Sequence, residues 1–278
     1  MDIQRLNCEI LQKVSAYLNF SERAIDAMQV EEVASCGVSR QRAVELLLAN
    51  YLDLDNTAQK EYLPYMLKCL DKSAYQNDEY YKHISFDNAK RGQWELKKDS
   101  YMPYEIFVQD DFVYDSEKVL PQLGYFQEEF EYPAVYQDGV LWMSVTPNEI
   151  NTMKEPIERA KGKVLTFGLG LGYFAYMCSI KDDVESVTVV EKDRDVIELF
   201  KQVILPKFSQ KTKIRIINDD AYSCLDALKD GQYDYAFVDI YHDAGDGGEV
   251  YKKFCKQQGR FSHTKFDYWI EKTIKYYL

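Results

Sequence analysis

Val164-Leu165-Thr166-Phe167-Gly168-Leu169-Gly170-Leu171-Gly172 constrains this chain more than any other stretch. An apolar, β-favouring run passes straight into three glycines at alternate positions. A buried strand, a glycine turn and a helix in that order bring bare backbone close to a ligand. Side chains there would fill the ligand's space, and the turn needs backbone angles that glycine adopts freely. The segment therefore reads as a nucleotide site. The glycines alone do not choose the nucleotide, but the dinucleotide fingerprint wants its third glycine one residue later, where Tyr173 stands.

The downstream strand ends narrow the choice. Ser186 to Val190 reads as a second strand ending in Glu191, whose carboxylate can accept hydrogen bonds from both hydroxyls of a ribose. Lys213 to Ile217 reads as a third strand opening on Asn218-Asp219-Asp220-Ala221, a polar corner suited to an adenine edge. Tyr233 to Val238 reads as a fourth, ending at Asp239. Open α/β sheets bind ligands at such carboxyl ends, although an acid there can also be a solvated strand end or a helix cap.

In these ordered strand ends the chain resembles the class I S-adenosylmethionine-dependent methyltransferases, and most of all their spermidine synthase-like branch, over roughly residues 130–250. The resemblance implies an α/β, Rossmann-like methyltransferase sheet and S-adenosylmethionine as cofactor. It also implies that Gly168, Gly170 and Gly172 face the amino acid part of the cofactor, Glu191 takes the ribose, Asp220 and the Ala221 backbone take the adenine, and Asp239 borders the reacting centre. Two departures bear on chemistry. Spermidine synthases carry an Asp between the second and third loop glycines, where this chain has Leu171. They also carry D-x-x-D-P after the fourth strand, and here the run is Asp239-Ile240-Tyr241-His242-Asp243-Ala244.

On those departures the leading expectation is an S-adenosylmethionine-dependent methyltransferase acting on a small-molecule or protein substrate. Its candidate catalytic residues are Asp239, His242 and Asp243, with His242 as general base and Asp239 or Asp243 orienting its ring or binding a cationic substrate. The alternatives are a spermidine synthase-like aminopropyl or aminocarboxypropyl transferase, and a nucleotide-binding scaffold without catalysis.

Composition fits a cytoplasmic protein with a small or basic substrate. The formal charge of −12, from 34 basic and 46 acidic side chains, disfavours nucleic acid as a partner, because affinity for a phosphate backbone rests on cationic neutralisation. Two arginines in Ser39-Arg40-Gln41-Arg42 do not outweigh that balance. The 6 cysteines include no C-x-x-C pair and read as reduced thiols, with no metal site expected. No apolar run has the length of a membrane span, and Met1-Asp2-Ile3-Gln4-Arg5 lacks the pattern of a signal peptide.

Three regions are expected around this site: an N-terminal helical domain at 1–90, a β-rich region or lid at 91–145, and the nucleotide domain at 146–278. Ile3, Leu6, Ile10, Leu11, Val14, Tyr17 and Leu18 recur at helical spacing. A second helix is expected from near Ser21 to Cys36-Gly37, a third capped by Ser39, and a fourth over Thr57 to Leu70 around Pro64. Ala134 to Gln137 and Val140 to Ser144, joined by Asp138-Gly139, read as a β-hairpin, either a packed layer or a wall over the cofactor. Thr146-Pro147-Asn148-Glu149 predicts a helix start with a capping box. Beyond Asp243 the sequence predicts a loop at Gly245 to Gly248 and helices at Glu249 to Gln258 and Lys265 to Leu278. That leaves the sheet either shortened at its C-terminal side or completed from the 94–145 region or by a second copy. The aromatic stripe of Phe266, Trp269, Ile270, Ile274 and Tyr277 equally suits a homodimer contact.

Overall fold

The computed structural model describes residues 3–20 and 24–278. In chain order it opens with α1 (Ile3–Phe20), α2 (Ala27–Ala34), α3 (Arg40–Tyr51), α4 (Asn56–Glu61), α5 (Leu63–Met66), β1 (Leu67–Cys69), α6 (Lys72–Gln76) and α7 (Glu79–His83). Strands β2 (Ala89–Arg91), β3 (Trp94–Tyr101), β4 (Phe107–Asp115), β5 (Lys118–Tyr125), β6 (Phe130–Gln137) and β7 (Val140–Ser144) follow. The remainder is α8 (Pro147–Arg159), β8 (Gly162–Phe167), α9 (Tyr173–Ser179), β9 (Val184–Glu191), α10 (Arg194–Val203), β10 (Ile214–Asn218), α11 (Ala221–Ala227), β11 (Tyr235–Val238), α12 (Ala244–Gln258), β12 (Lys265–Tyr268) and α13 (Glu271–Tyr277). Among the described residues no helix is long and apolar enough to cross a membrane.

The chain divides into two compact units. One takes the residues up to Tyr75 together with Ser100–Glu131. In it α1 buries Leu6, Ile10, Leu11, Val14 and Tyr17, the periodic positions of its sequence. Ser39 caps α3 by accepting the Arg42 N–H. Helix α2 starts later than the sequence suggests, at Ala27, because Asp26 and Gln29 form its capping box; Ser21 lies outside the described residues. The helix expected over Thr57 to Leu70 is broken. It stops at Glu61, resumes as the short α5 with Pro64 in its first turn, and gives way to β1, which pairs in parallel with β5 in a three-stranded sheet ordered β1-β5-β4. Buried Asn7 helps to fix this unit, accepting the Tyr62 hydroxyl at 2.8 Å and the Val119 N–H at 3.1 Å.

The other unit, Gln76–Asp99 with Tyr132–Leu278, holds a five-stranded parallel sheet ordered β10-β9-β8-β11-β12. Read in chain order, the first strand is central and the chain winds outward to both sides, so this is an α/β, Rossmann-like methyltransferase fold with its topological switch between β8 and β11. All four residues of β11, and Val164 to Phe167 of β8, are buried, as strands covered on both faces must be. Phe174 of α9 stacks on Phe237 with ring centroids 4.3 Å apart, and Phe167 meets Phe254 of α12 edge-on. The predicted hairpin is formed by β6 and β7, with Asp138 at φ 49° and Gly139 at φ 81°, both left-handed as a two-residue turn requires.

The C-terminal expectations need correcting twice. Gly245 to Gly248 is not a loop: Asp243 and Asp246 form a capping box that starts α12 at Ala244 and carries the glycines into the helix. The predicted helix over Lys265 to Leu278 is instead a strand and a short helix. β12 pairs with β11 from Tyr235↔Lys265 to Val238↔Tyr268 and supplies the fifth strand. Helical spacing puts Phe266 and Trp269 on one stripe, but the chain turns at Ile270, which has φ 41°. Asp267 is held by Arg159 of α8, whose Nε lies 2.7 Å from its carboxylate, and by the Tyr235 hydroxyl.

That clamp ties the last strand to the helix before the first. Asp267→Ala should lower unfolding stability by about 2–3 kcal/mol, below the full cost of breaking a buried pair because the Arg159 head is partly solvated. Urea titration checks this; a loss under about 1 kcal/mol would mean that the β11–β12 ladder alone holds the strand.

Candidate active site

At the carboxyl end of β8 the chain makes a turn that only glycine can make. Gly168, Gly170 and Gly172 have φ of +99°, +47° and +75°, and each is packed against a neighbour. A Cβ on Gly168 would lie 1.9 Å from the Asp239 carbonyl, one on Gly170 would lie 1.9 Å from Met143 Sδ, and one on Gly172 would lie 2.4 Å from the Phe200 ring. Gly172 then serves as the N-cap of α9. Met143 comes from β7, so the hairpin reaches the glycine turn.

Glu191 closes β9 beside this turn. Its carboxylate accepts the Leu169 N–H at 3.3 Å and the Asp193 N–H at 2.8 Å, and burial raises its pKa in spite of those bonds. Each oxygen retains acceptor capacity. Asn218 donates to the carbonyls of Glu191 and Lys192, and the Asp219 N–H to that of Glu191, which pins the end of β10 to that of β9. Asp220 caps α11 through one oxygen, accepting the N–H groups of Tyr222 and Ser223, with Ala221 buried as the first helical residue.

The residues at the end of β11 separate into two environments. Asp239 is half-buried, and desolvation pushes its pKa up to about 7. His242 and Asp243 are exposed. The carboxylate facing the His242 ring belongs to Asp246, 3.3 Å from Nδ1, and not to Asp239 or Asp243 as the sequence suggests. Asp243 is occupied as the cap of α12, accepting the Gly245 N–H at 2.6 Å. Trp142 lies against the imidazole, ring centroids 4.0 Å apart. Tyr241 is buried and donates to the Trp269 carbonyl.

The acid that accompanies Asp239 is Glu149, which sequence reasoning assigned to a capping box. Thr146 is indeed the N-cap of α8, with Pro147 behind it, but no side-chain cap bond forms. Glu149 instead turns inward and is buried, and its Oε2 has no hydrogen-bond partner. Desolvation raises its pKa far above the usual carboxylate range, and the charge of Asp239 raises it further. The signal was present in the sequence: Glu149 lies four residues before Met153 and eight before Ile157, on the buried stripe of its own helix.

Helix α7 is the other part that the motifs did not reveal. Tyr80 donates its hydroxyl to the Leu171 carbonyl at 2.7 Å, inside the glycine turn. Tyr173, directly after the turn, donates to Asp78, the N-cap of α7, at 3.1 Å. Asp78 has a raised pKa, chiefly from burial. Leu171, which stands where the resembling family has an Asp, is wholly buried and takes no part in the acidic group.

Residues 151–274 match the model of the spermine/spermidine synthase domain. The match runs from α8 to α13 and so takes in all five strands of the parallel sheet. No curated protein matches the chain. Among solved structures, a conserved hypothetical protein of Streptococcus pyogenes is similar at 15% identity and a TM-score of 0.31, over 40% of this chain and 67% of that one. A precorrin 8W decarboxylase of Methanobacterium thermoautotrophicum is similar at 18% identity and a TM-score of 0.29, over 38% of this chain and 52% of that one. This chain thus spans about half the length of the second.

Asp239 sets a pH dependence. Its folded pKa of about 7 lies above the ordinary aspartate value, so the folded state binds the proton more tightly than the unfolded chain. The associated stability is complete below pH about 4 and is lost as pH rises to about 7. Between pH 5 and 8 the ligand-free protein should lose thermal stability, and Asp239→Asn should flatten that slope; equal slopes for both would show that Asp239 ionises in the folded protein as freely as in water.

Proposed function

We propose that this chain is a group transferase that moves an aminopropyl group from decarboxylated S-adenosylmethionine to a small cationic amine. The observation that carries this reading is the acidic pair of buried Glu149 and half-buried Asp239 beside the glycine turn. A buried carboxylate whose pKa is raised by burial and by the charge of a half-buried neighbour is costly without a positive partner. A protonated amine supplies that partner, and its nitrogen must then lose a proton before or as it attacks carbon. A carboxylate poised near pH 7 is matched to that task.

The fit to the nucleoside rests on the strand ends. Glu191 offers its remaining lone pairs to ribose hydroxyls, and Asp220, with one oxygen engaged as a cap, offers the other to an adenine amino group beside the Ala221 backbone. The left-handed glycines 168, 170 and 172 keep side chains away from the donor. The donor's sulfonium supplies the leaving group; in aminopropyl transfer the carbon–sulfur bond breaks with its electron pair on sulfur, and a nitrogen–carbon bond forms.

Two considerations favour aminopropyl over methyl transfer, the leading expectation from sequence. The match to the spermine/spermidine synthase domain is to a family that uses decarboxylated S-adenosylmethionine. Electrostatics point the same way, because Glu149 and Asp239 disfavour a donor tail that carries its own carboxylate and favour one that ends in an ammonium group. In this reading Glu149, from another element, stands in for the second acid of the incomplete D-x-x-D-P run, and Asp243 serves its helix.

The test offers the protein both donors with a set of di- and triamines and measures 5′-methylthioadenosine release. Decarboxylated S-adenosylmethionine should turn over with at least one amine, while S-adenosylmethionine should not. Glu191→Ala should weaken donor binding roughly ten- to a hundredfold through loss of a charged acceptor. Glu149→Gln and Asp239→Asn should each slow turnover about 10²–10⁴-fold. Methyl transfer from S-adenosylmethionine, with no amine consumed from the decarboxylated donor, would overturn the proposal in favour of a methyltransferase.

A further inference from the structure

The hairpin strand β7 is not regular. Val135 pairs with Met143 but Tyr136 pairs with Leu141, so Trp142 is an extra residue on its strand, a β-bulge. A bulge bends its strand and re-aims the side chains on either side of it. Here Trp142 turns to the rings of Trp94 and His242, with centroids 5.5 Å and 4.0 Å away. Met143 is left pointing at the glycine turn, its thioether against Gly170 where a Cβ would come within 1.9 Å of Sδ and 3.0 Å of Cε.

From this contact we infer that Met143 is the specificity-determining residue for the donor's tail, the chain attached to sulfur on the side away from the nucleoside. The inference rests on the functional reading above, in which that tail runs along Gly170. Without donor, the Met143 side chain lies over the same backbone. Its unbranched, three-bond side chain can swing aside, at the cost of its packing on the turn and of a less favoured rotamer. A nucleoside without a tail makes no such demand. Met143 therefore discriminates by what hangs from sulfur and leaves recognition of ribose and adenine untouched, since Glu191 and Asp220 lie on other strand ends.

The experiment compares the affinities of decarboxylated S-adenosylmethionine, S-adenosylhomocysteine and 5′-methylthioadenosine, the last having only a methyl group on sulfur, for the full-length protein. Calorimetry is run on wild type, Met143→Ala and Met143→Leu, with circular dichroism to check folding. In Met143→Ala the two tailed ligands should gain roughly three- to tenfold relative to 5′-methylthioadenosine, the factor that an avoided rotamer cost of about 0.5–1.5 kcal/mol allows. Met143→Leu, which keeps the bulk but is branched and stiffer, should show no such gain. Equal changes for tailed and tail-less ligands, or a selective loss for the tailed ones, would overturn the assignment while leaving the proposed function standing. If Met143→Ala does not fold, a lowered ratio in Met143→Phe supports the inference, and a ratio unchanged there sinks it. Failure of every nucleoside to bind wild type would overturn the functional reading and the role of Met143 with it.

Discussion

Between Gly168 and the carbonyl of Asp239 there is no room for a methyl group, and the site depends on that approach. It joins the ends of β8 and β11 at the point where the sheet changes its direction of winding. Any side chain at 168 would meet backbone, which cannot rotate away as a flexible side chain can, and the backbone angle there already excludes most residues. Because β11 ends so close to the turn, the carboxylate of Asp239 is half-buried. Its raised pKa follows from the route of the backbone before any ligand is considered.

The second acid has a different origin. Glu149 is carried in by α8, whose buried stripe includes it alongside Met153 and Ile157. Together with Asp78, which receives the Tyr173 hydroxyl, it makes the neighbourhood of the glycine turn acidic from two helices as well as from a strand end. The D-x-x-D-P motif sets two acids three residues apart, and in the proposed reading its counterpart here, Glu149 with Asp239, comes from distant parts of the chain. Such a change preserves charge while altering geometry, so under the proposed function the size and spacing of the amines accepted need not follow the pattern of the similar domain.

Local signals were the legible ones. Glycine spacing, apolar runs and Asp-Gly each act over a few residues, so the turn at 168–172, the strand ends at Glu191 and Asp239 and the hairpin at Asp138-Gly139 could be read directly. Glu149 could not be assigned by its capping pattern, because whether an acid at that position reaches back to the backbone or turns into the core is decided by what lies on the other side of the helix. β12 was hidden for a related reason: Phe266, Trp269 and Ile270 also suit a helical stripe, and only the edge of β11 and the Arg159 partner of Asp267 favour the strand. In both cases long-range packing overrode local preference. His242 was conspicuous in sequence as a lone titratable ring between acids, yet its neighbour is Asp246, one helical turn on, a pairing that appears only once Asp243 is seen to start a helix.

One more consequence follows from the way the two units divide the chain. The unit built from residues up to Tyr75 and Ser100–Glu131 has all its parts by the time residue 131 has left the ribosome. Gln76–Asp99 has no such fortune. Tyr80 and Trp94 are buried against a core whose strands are encoded between 162 and 268. At roughly 5–20 residues per second, the wait for those strands lasts on the order of ten seconds or more. During that interval a segment with several aromatic residues lacks the core that covers it, a nascent stretch whose apolar surface the cell must keep from associating with its neighbours.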